Sequence, residues 1–273
     1  MSHPILAQLA SPDPAARRAA CLAAANDPAA TLLTDALCEA LGDPAKAVSR
    51  AASDALVAIG RTHGDVDPGL RAALHGSDAA RRFGAAFTLA RISPPGPRLL
   101  PALVEALASA DGDVRWAAAR LLVETGRVHG EVFALLAGLA RRSEDAGVRR
   151  MAIFALRELA PERAETAGVL LDALRSDPDL ANRRAALSAI AALVDPPAAI
   201  AEQLLQTLGD ARDPASQRLA AIALGELGAR DASCVPAPTR AGLRDAAAHS
   251  ADADLRRACE RALARIANAI PGR

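Results

Sequence analysis

Apolar residues along this chain recur at helical rather than strand spacing. One segment occurs eight times: an Asp, two residues, a small or apolar residue, one or two arginines, and an Ala- and Leu-rich run. If the small or apolar residue is taken as the anchor, positions four, eight and eleven residues later (+4, +8 and +11) share one face of a helix with it. Position +4 is always Ala or Cys, and +8 is Leu or Ile in seven of the eight copies. The pattern therefore predicts eight amphipathic helices, each buried most tightly at +4.

The anchors follow one another at a near-constant period. The steps between them are 32 to 34 residues, with a last step of 39, and the anchors are Ala16, Val48, Arg81, Val114, Val148, Asn182, Ser216 and Leu255. Three residues before the anchor, seven copies carry Asp, and the second copy has Asp43 two residues earlier. A short carboxylate there accepts hydrogen bonds from the free amides of a first helical turn, so these residues are predicted N-caps. By their position after +11, Gly60, Gly126 and Gly228 are predicted C-caps.

A second apolar run precedes the repeated helix, for example at residues 31–41, 98–109, 131–142, 165–176 and 199–210. Each repeat is therefore predicted to be a helix, a short turn and a helix. A single hairpin cannot bury both apolar faces, but stacked neighbours form a continuous elongated core. We predict one all-α domain spanning residues 1–273, with repeats at approximately 1–28, 29–61, 62–93, 94–127, 128–161, 162–195, 196–229 and 230–273.

Composition agrees with helices that pack closely through small side chains. Hydrophobic residues make up 51% of the chain, but aromatic residues only 2%, with no Tyr, one Trp and four Phe. Alternation of β-branched and polar residues, the signal of a strand, is nearly absent. The 32 basic and 32 acidic residues cancel. No net field therefore draws the whole molecule to nucleic acid or to an anionic membrane.

The cysteines and the first residues indicate a cellular location. No two of the four cysteines have C-x-x-C spacing, and Cys21, Cys38 and Cys259 lie within helical patterns. We therefore expect buried free thiols, which are typical of a reducing compartment. The N-terminal residues have no signal-peptide pattern, and no stretch approaches about 18 uninterrupted apolar residues. These features predict a cytoplasmic protein that does not span a membrane.

The repeated pattern D-x-x-V-R-R/x-x-A-x-x-x-L resembles the HEAT-repeat family, particularly the short bacterial type described from phycobilisome-lyase-like repeats. The resemblance covers essentially the whole chain. It implies an α/α superhelix, a right-handed solenoid of about eight HEAT-like hairpins whose second helices line a concave surface. It also implies a non-catalytic scaffold, since most of the family binds proteins. In the family pattern, arginines one residue after the anchor (+1) bridge neighbouring repeats; here they are Arg17, Arg82, Arg115, Arg149, Arg183 and Arg256.

Position +2 lies about 200° around the helix from the anchor and is predicted to face solvent. Its occupants are Arg18, Arg50, Phe83, Trp116, Arg150, Arg184, Arg218 and Arg257. One interpretation is a groove for a protein or peptide partner with apolar anchors and acidic groups. Its proposed contacts are Trp116, Phe83, Phe87, Phe154, Arg50, Arg120, Arg150 and Arg184. The alternative is that each arginine pairs with a nearby Asp or Glu of the chain, such as Glu124, Glu158 or Glu226, while the aromatics fill irregular gaps in the stack.

Catalytic patterns are missing from the sequence. It lacks the P-loop, dinucleotide-binding, zinc-protease and nucleophile-elbow motifs. None of the five histidines begins a His-Glu pair, which counts against the HEAT-type deoxyhypusine hydroxylases, and we expect no cofactor or metal.

Two other functions remain open. A HEAT-like DNA glycosylase would use Asp113, Trp116 and Arg150, but zero net charge and a single lysine count against nucleic acid. A bilin lyase or maturation factor subunit is suggested by the repeat type alone.

Overall fold

A computed structural model describes residues 3–63 and 66–269. Within these ranges the chain forms sixteen α-helices and no strand. Consecutive helices contact each other in eight pairs, from α1 with α2 to α15 with α16, and each pair is one repeat. The all-α fold class and the eight predicted hairpins are therefore confirmed. Contacts between Cα atoms divide the chain into two compact units, Met1–His129 and Gly130–Arg273.

Unit 1, Met1–His129, contains the first four hairpins. Its second helices, α2, α4, α6 and α8, contact one another in succession, and its first helices α1, α3 and α5 do the same. Short 3-10 turns precede α3 and α7. The bounds are α1 Pro4–Leu9, α2 Pro14–Ala24, α3 Thr34–Ala40, α4 Lys46–His63, α5 Asp67–Leu74, α6 Ala79–Ile92, α7 Leu100–Ala106 and α8 Gly112–Gly126.

Unit 2, Gly130–Arg273, contains the last four hairpins. The second helices α10, α12, α14 and α16 contact in succession, as do the first helices α9, α11, α13 and α15. The longer last step of the period is taken up by a 3-10 turn, Ala232–Cys234, before α15. The bounds are α9 Glu131–Arg142, α10 Ala146–Leu159, α11 Ala164–Ser176, α12 Leu180–Ile190, α13 Ala198–Gly209, α14 Pro214–Arg230, α15 Ala237–His249 and α16 Ala253–Asn268.

Position +4 of each repeat is the most completely buried point of the second helices. All eight side chains there have no exposed surface: Ala20, Ala52, Ala85, Ala118, Ala152, Ala186, Ala220 and Cys259. Larger side chains from the first helices, such as Leu37, Leu103 and Leu136, are equally buried. A small residue at +4 lets neighbouring helices approach closely while leucines fill the remaining space. The predicted core face is confirmed.

The predicted N-caps are confirmed in every repeat where Asp precedes the anchor by three residues. Each of these carboxylates accepts a hydrogen bond from a backbone amide of the first turn: Asp13, Asp78, Asp111, Asp145, Asp179, Asp213 and Asp252. In the second repeat, Asp43 accepts from the Ala45 amide at 2.8 Å, just before α4 begins. The recurring Asp therefore sets where each second helix starts.

The predicted glycine C-caps are wrong. Gly60 and Gly228 lie inside α4 and α14, and Gly126 is the last helical residue of α8. A Cβ atom at Gly60 would lie 2.8 Å from the Val66 side chain. One at Gly228 would clash with Ile266. At both positions a larger residue would force a neighbouring side chain to shift, which favours glycine there.

The +1 arginines have a shared role within their own hairpin. Nη1 of each donates to the carbonyl oxygen six residues earlier, in the turn between the two helices, at 2.5 to 2.8 Å. Three also reach a carboxylate of the next repeat: Arg17 with Asp43, Arg82 with Glu105, and Arg149 with Asp177. The position thus holds the turn in all six repeats and bridges repeats in three.

Three cysteines are buried, as predicted. Burial raises the pKa of Cys21 and of Cys259 to about 11, and that of Cys38 to about 12. Cys234 is half-buried. Because a thiolate is the reactive form, protonated thiols in the core are inert as nucleophiles. In the part of the chain that the structure describes, no helix is both long and apolar enough to cross a membrane.

Candidate functional site

In unit 2 the +2 arginines pair within the chain. Arg184 Nη2 lies 2.6 Å from Asp213 Oδ1, and Arg218 Nη1 lies 2.8 Å from Asp252 Oδ2. Both carboxylates are N-caps of the second helix in the following repeat. Each arginine therefore joins its repeat to the next one.

Arg150 follows the same arrangement more loosely. Its Nε donates to Asn182 Oδ1 at 2.9 Å, and its Nη2 lies 3.6 Å from the N-cap carboxylate of Asp179. The expected pairing with a nearby Asp or Glu thus exists, and the carboxylates that these three arginines reach are N-cap aspartates. Of the glutamates named as examples, Glu158 and Glu226 pair with Arg157 and Arg265 instead.

Unit 1 departs from this arrangement because aromatic residues occupy +2 in its third and fourth repeats. Phe83 stands where an arginine would reach Asp111, the N-cap of α8. Lys46, two repeats earlier in the chain, pairs with Asp111 instead, and its Nζ lies 2.6 Å from Asp111 Oδ2. The hydrogen bond to Asp111 raises the pKa of Lys46, and the same bond lowers the pKa of Asp111.

A second carboxylate completes this ionic bridge. Asp113 Oδ2 lies 3.3 Å from Lys46 Nζ and 3.2 Å from Arg50 Nη2. Lys46 and Arg50 are one turn apart on α4, whereas Asp111 and Asp113 are at the start of α8. The bridge therefore joins the two helices that contact α6 on either side.

A groove of about 930 Å³ opens in unit 1 among α4, α6 and the start of α8. Phe83, Gly84 and Phe87 line it from α6, and the two phenyl centroids are 6.0 Å apart. At Gly84 a Cβ atom would lie 2.9 Å from the Leu41 side chain, so α6 packs tightly against the end of α3. All four residues of the ionic bridge also line the groove.

Arg91 supplies a third cation to the groove. Its Cζ lies 5.7 Å from the centroid of the Phe87 ring, within reach of a cation–π interaction. Its Nη1 contacts Ser53 Oγ at 3.0 Å and Asp54 Oδ1 at 2.8 Å. The groove thus combines two aromatic rings with three cations, and each cation contacts a carboxylate of the chain.

The structure brings together only some of the residues predicted to bind a partner. Arg50, Phe83 and Phe87 line the groove of unit 1. Trp116 and Arg120 also belong to unit 1 and are exposed on α8, with Trp116 49% exposed, but neither lines that groove. The remaining three belong to unit 2: exposed Arg150 and half-buried Phe154 on α10, and half-buried Arg184 on α12.

Several residues of the groove were not predicted as site residues, namely Lys46, Ser53, Arg91 and Asp111. The sequence held a signal for one of them, Asp111. In unit 2 the arginine at +2 contacts the N-cap aspartate of the following repeat. Because Phe83 occupies +2 in the third repeat, another cation must pair with the N-cap Asp111. Lys46 is the single lysine of the chain, but a contact with a residue more than 60 positions away has no local sequence signal.

The described residues contain no cluster of His, Cys, Asp or Glu side chains arranged to hold a metal ion. The groove residues offer aromatic contact, cations and carboxylates. This is the chemistry of recognition by packing and charge.

Comparisons with known proteins agree with the observed architecture. Residues 68–157 match the family model described as HEAT repeats. The crystal structure of YibA from Escherichia coli is 18% identical, with 96% of this chain and 91% of that chain covered and a TM-score of 0.54. A chain in a homology model of the full-length AP-3 complex is 16% identical, with 98% and 50% covered and a TM-score of 0.55. No curated protein matches the sequence.

These comparisons confirm the resemblance to HEAT repeats over residues 68–157 and show the fold alone for the rest. HEAT repeats are generally non-enzymatic and typically form helical scaffolds that mediate protein interactions. The matched residues include α6 and α8, from which the aromatic lining of the groove and two of its carboxylates come.

Proposed function

We propose that this chain, whose residues 68–157 match HEAT repeats, is a non-catalytic scaffold that binds a protein or peptide partner. The proposed site is the groove of unit 1 together with the exposed Trp116 beside it on α8. The observation that carries the proposal is the replacement of the +2 arginine by Phe83. This change puts an aromatic ring in the groove at the position that joins consecutive repeats in unit 2.

The ion pairs of unit 2 support placing the site in unit 1. Arg184 contacts the N-cap of the next repeat, and Arg150 contacts Asn182 and the N-cap Asp179. A partner would have to compete with these contacts. The cations of the unit 1 groove are paired as well, but its two phenyl rings offer an apolar contact besides. Contacts from Arg120, Phe154, Arg150 and Arg184 stay predictions.

Hot spots in protein interfaces are enriched in aromatic residues and arginine that are surrounded by weaker contacts. Phe83, Phe87 and Arg50 fit this description, and Trp116 is a further exposed aromatic residue on α8. The groove's volume of about 930 Å³ is enough to bury a ligand the size of a few side chains.

The proposal is tested with a purified partner. Proteins retained by the immobilised chain from lysate are identified by mass spectrometry, purified and titrated by calorimetry. Trp116→Ala and Phe83→Ala should each weaken binding by about 1 kcal/mol or more, which is roughly fivefold or more. Leu32→Ala, which removes another exposed apolar side chain of unit 1 (75% exposed), is the matched control and should leave affinity unchanged.

Circular dichroism must show that each variant keeps its helical content. Equal affinity for wild type, Trp116→Ala and Phe83→Ala would place the binding surface elsewhere and contradict the proposed site. Retention of nucleic acid in place of protein would contradict the scaffold function itself.

A further inference from the structure

In the groove of unit 1, a carboxylate of the chain itself, that of Asp113, contacts two cations. Asp113 Oδ2 lies 3.2 to 3.3 Å from two cations on α4, Lys46 and Arg50. The residues are 67 and 63 positions apart in sequence, so the contact skips the whole third repeat. The third repeat supplies the aromatic lining beside them, Phe83 and Phe87.

This carboxylate is not an N-cap, unlike the aspartates that pair with Arg184 and Arg218 in unit 2. The N-cap of α8 is Asp111, whose side chain accepts the Asp113 amide at 3.0 Å. The side chains of Asp113 and Arg50 are 69% and 68% exposed. Exposed ion pairs of this kind contribute little to stability and exchange readily with other charged groups.

Two of the groove cations, Lys46 and Arg91, are held in place without Asp113, whereas the exposed Arg50 contacts Asp113 itself. Lys46 keeps its 2.6 Å contact with Asp111, and Arg91 keeps its contacts with Asp54 and the Phe87 ring. If Asp113 turned away, the groove would present a positioned ammonium group beside two phenyl rings. Preorganised groups of this kind lose little conformational entropy when a ligand binds.

We propose that Asp113 is an internal substitute for a partner's carboxylate, and that the groove takes a peptide segment in which Asp or Glu neighbours a bulky apolar side chain. The apolar side chain packs on Phe83 and Phe87, and the carboxylate replaces that of Asp113 on Lys46 and Arg50. This inference rests on the proposed scaffold function and adds the chemistry of the partner. It makes Asp113 a competitor, so that its removal strengthens binding.

The probe is a peptide selected from a random library displayed on phage and panned against the full chain. The enriched peptide is synthesised with a fluorescent label and titrated by anisotropy into wild type, Asp113→Asn and Asp172→Asn. Asp172 is the matched control because its exposed carboxylate pairs with Arg141 in unit 2, so the same charge is lost away from the groove. Arg50→Ala and Phe83→Ala test the two halves of the site.

The enriched peptides should combine Asp or Glu with Phe, Trp or Leu. Asp113→Asn should bind the peptide about two- to fivefold more tightly, the range expected when one exposed ion pair no longer competes. Asp172→Asn should bind like wild type, and Arg50→Ala and Phe83→Ala should bind more weakly. Arg50 is exposed, so its replacement tests the carboxylate contact even where Phe83→Ala disturbs packing.

Enrichment of basic peptides would overturn the inference. The inference would also be overturned if Asp113→Asn bound the peptide no more tightly than wild type does. If Arg50→Ala or Phe83→Ala still weakened binding in that case, the scaffold function would stand. If no peptide is enriched, or if none of its binding depends on Arg50 or Phe83, both the inference and the proposed site fail.

Discussion

At the residue scale, one glycine lies where two second helices cross so closely that its Cβ would meet backbone. At Gly225 in α14, a Cβ atom would lie 2.9 Å from the Ala262 Cα and 3.0 Å from its Cβ in α16. These are backbone and near-backbone atoms, which cannot rotate away. Gly225 lies nine residues after the anchor Ser216, outside the predicted apolar face, and only the crossing of α14 and α16 shows that a methyl group is too large there.

Gly225→Ala should therefore destabilise the protein although alanine is the better helix former. The propensity gain is about 1 kcal/mol, whereas overpacking a close contact costs about 1 to 3 kcal/mol or more. We expect a lower midpoint of urea unfolding, measured by circular dichroism.

Gly209→Ala is the matched control, because Gly209 ends α13 and a Cβ atom there meets nothing within 4 Å. This change should be neutral or slightly stabilising. If Gly225→Ala stabilised the protein as much as Gly209→Ala, the close approach of α14 to α16 would be wrong.

At the element scale, the starts of the second helices also serve as connections between repeats. Asp213 accepts the Ser216 amide as the N-cap of α14 and receives Arg184 from α12. The hydrogen bond from Arg184 holds the pKa of Asp213 well below its usual range; burial opposes this, and the Ser216 hydroxyl and amide add to it. One carboxylate thus starts a helix and joins two repeats.

Asp213→Asn should flatten the dependence of stability on pH. Because the pKa is lowered in the folded state, the unfolded chain takes up the proton first, near pH 4. The stabilisation from Asp213 is therefore present above about pH 4 and is lost as the pH falls towards the folded pKa. Between about pH 5 and pH 2, the free energy of unfolding should fall less steeply in Asp213→Asn than in wild type.

The measurement is a series of urea unfolding curves across this pH range. Asparagine keeps an oxygen at the N-cap, so the change tests the charge more than the cap. Parallel pH curves for the two proteins would show that the contact with Arg184 does not lower the pKa of Asp213.

The elements were largely predictable from sequence, whereas the candidate site was not. A period near 33 residues, the Asp at each N-cap and the small residue at +4 are local signals, and all three predictions were confirmed. The C-cap prediction failed because α4 and α14 continue past Gly60 and Gly228, which instead lie close to side chains of the following repeat such as Ile92 and Ile266. The ionic bridge of Lys46 was missed because it, too, joins residues of different repeats.

At the scale of the whole molecule, the sequence period predicts one continuous domain over residues 1–273, and the contacts give two compact units. In repeat arrays, stability is approximately a sum of the stabilities of single repeats and of the interfaces between neighbours. Whether an array unfolds as one domain depends on those interfaces, because cooperativity is lost where an interface is weak. The prediction of one continuous domain can therefore be tested by measuring whether the chain unfolds cooperatively.

If the prediction of one domain holds, both units should unfold in a single transition. Trp116, the single tryptophan, reports on unit 1 by fluorescence, while circular dichroism reports on the helices of the whole chain. Their urea curves should coincide in wild type. Gly225→Ala, a change in unit 2, should lower the fluorescence midpoint as much as the circular dichroism midpoint, and Gly209→Ala should lower neither. If Gly225→Ala left the fluorescence curve of Trp116 unchanged and gave a two-step circular dichroism curve, the two units would unfold independently. Destabilising unit 2 would then not affect the stability of unit 1.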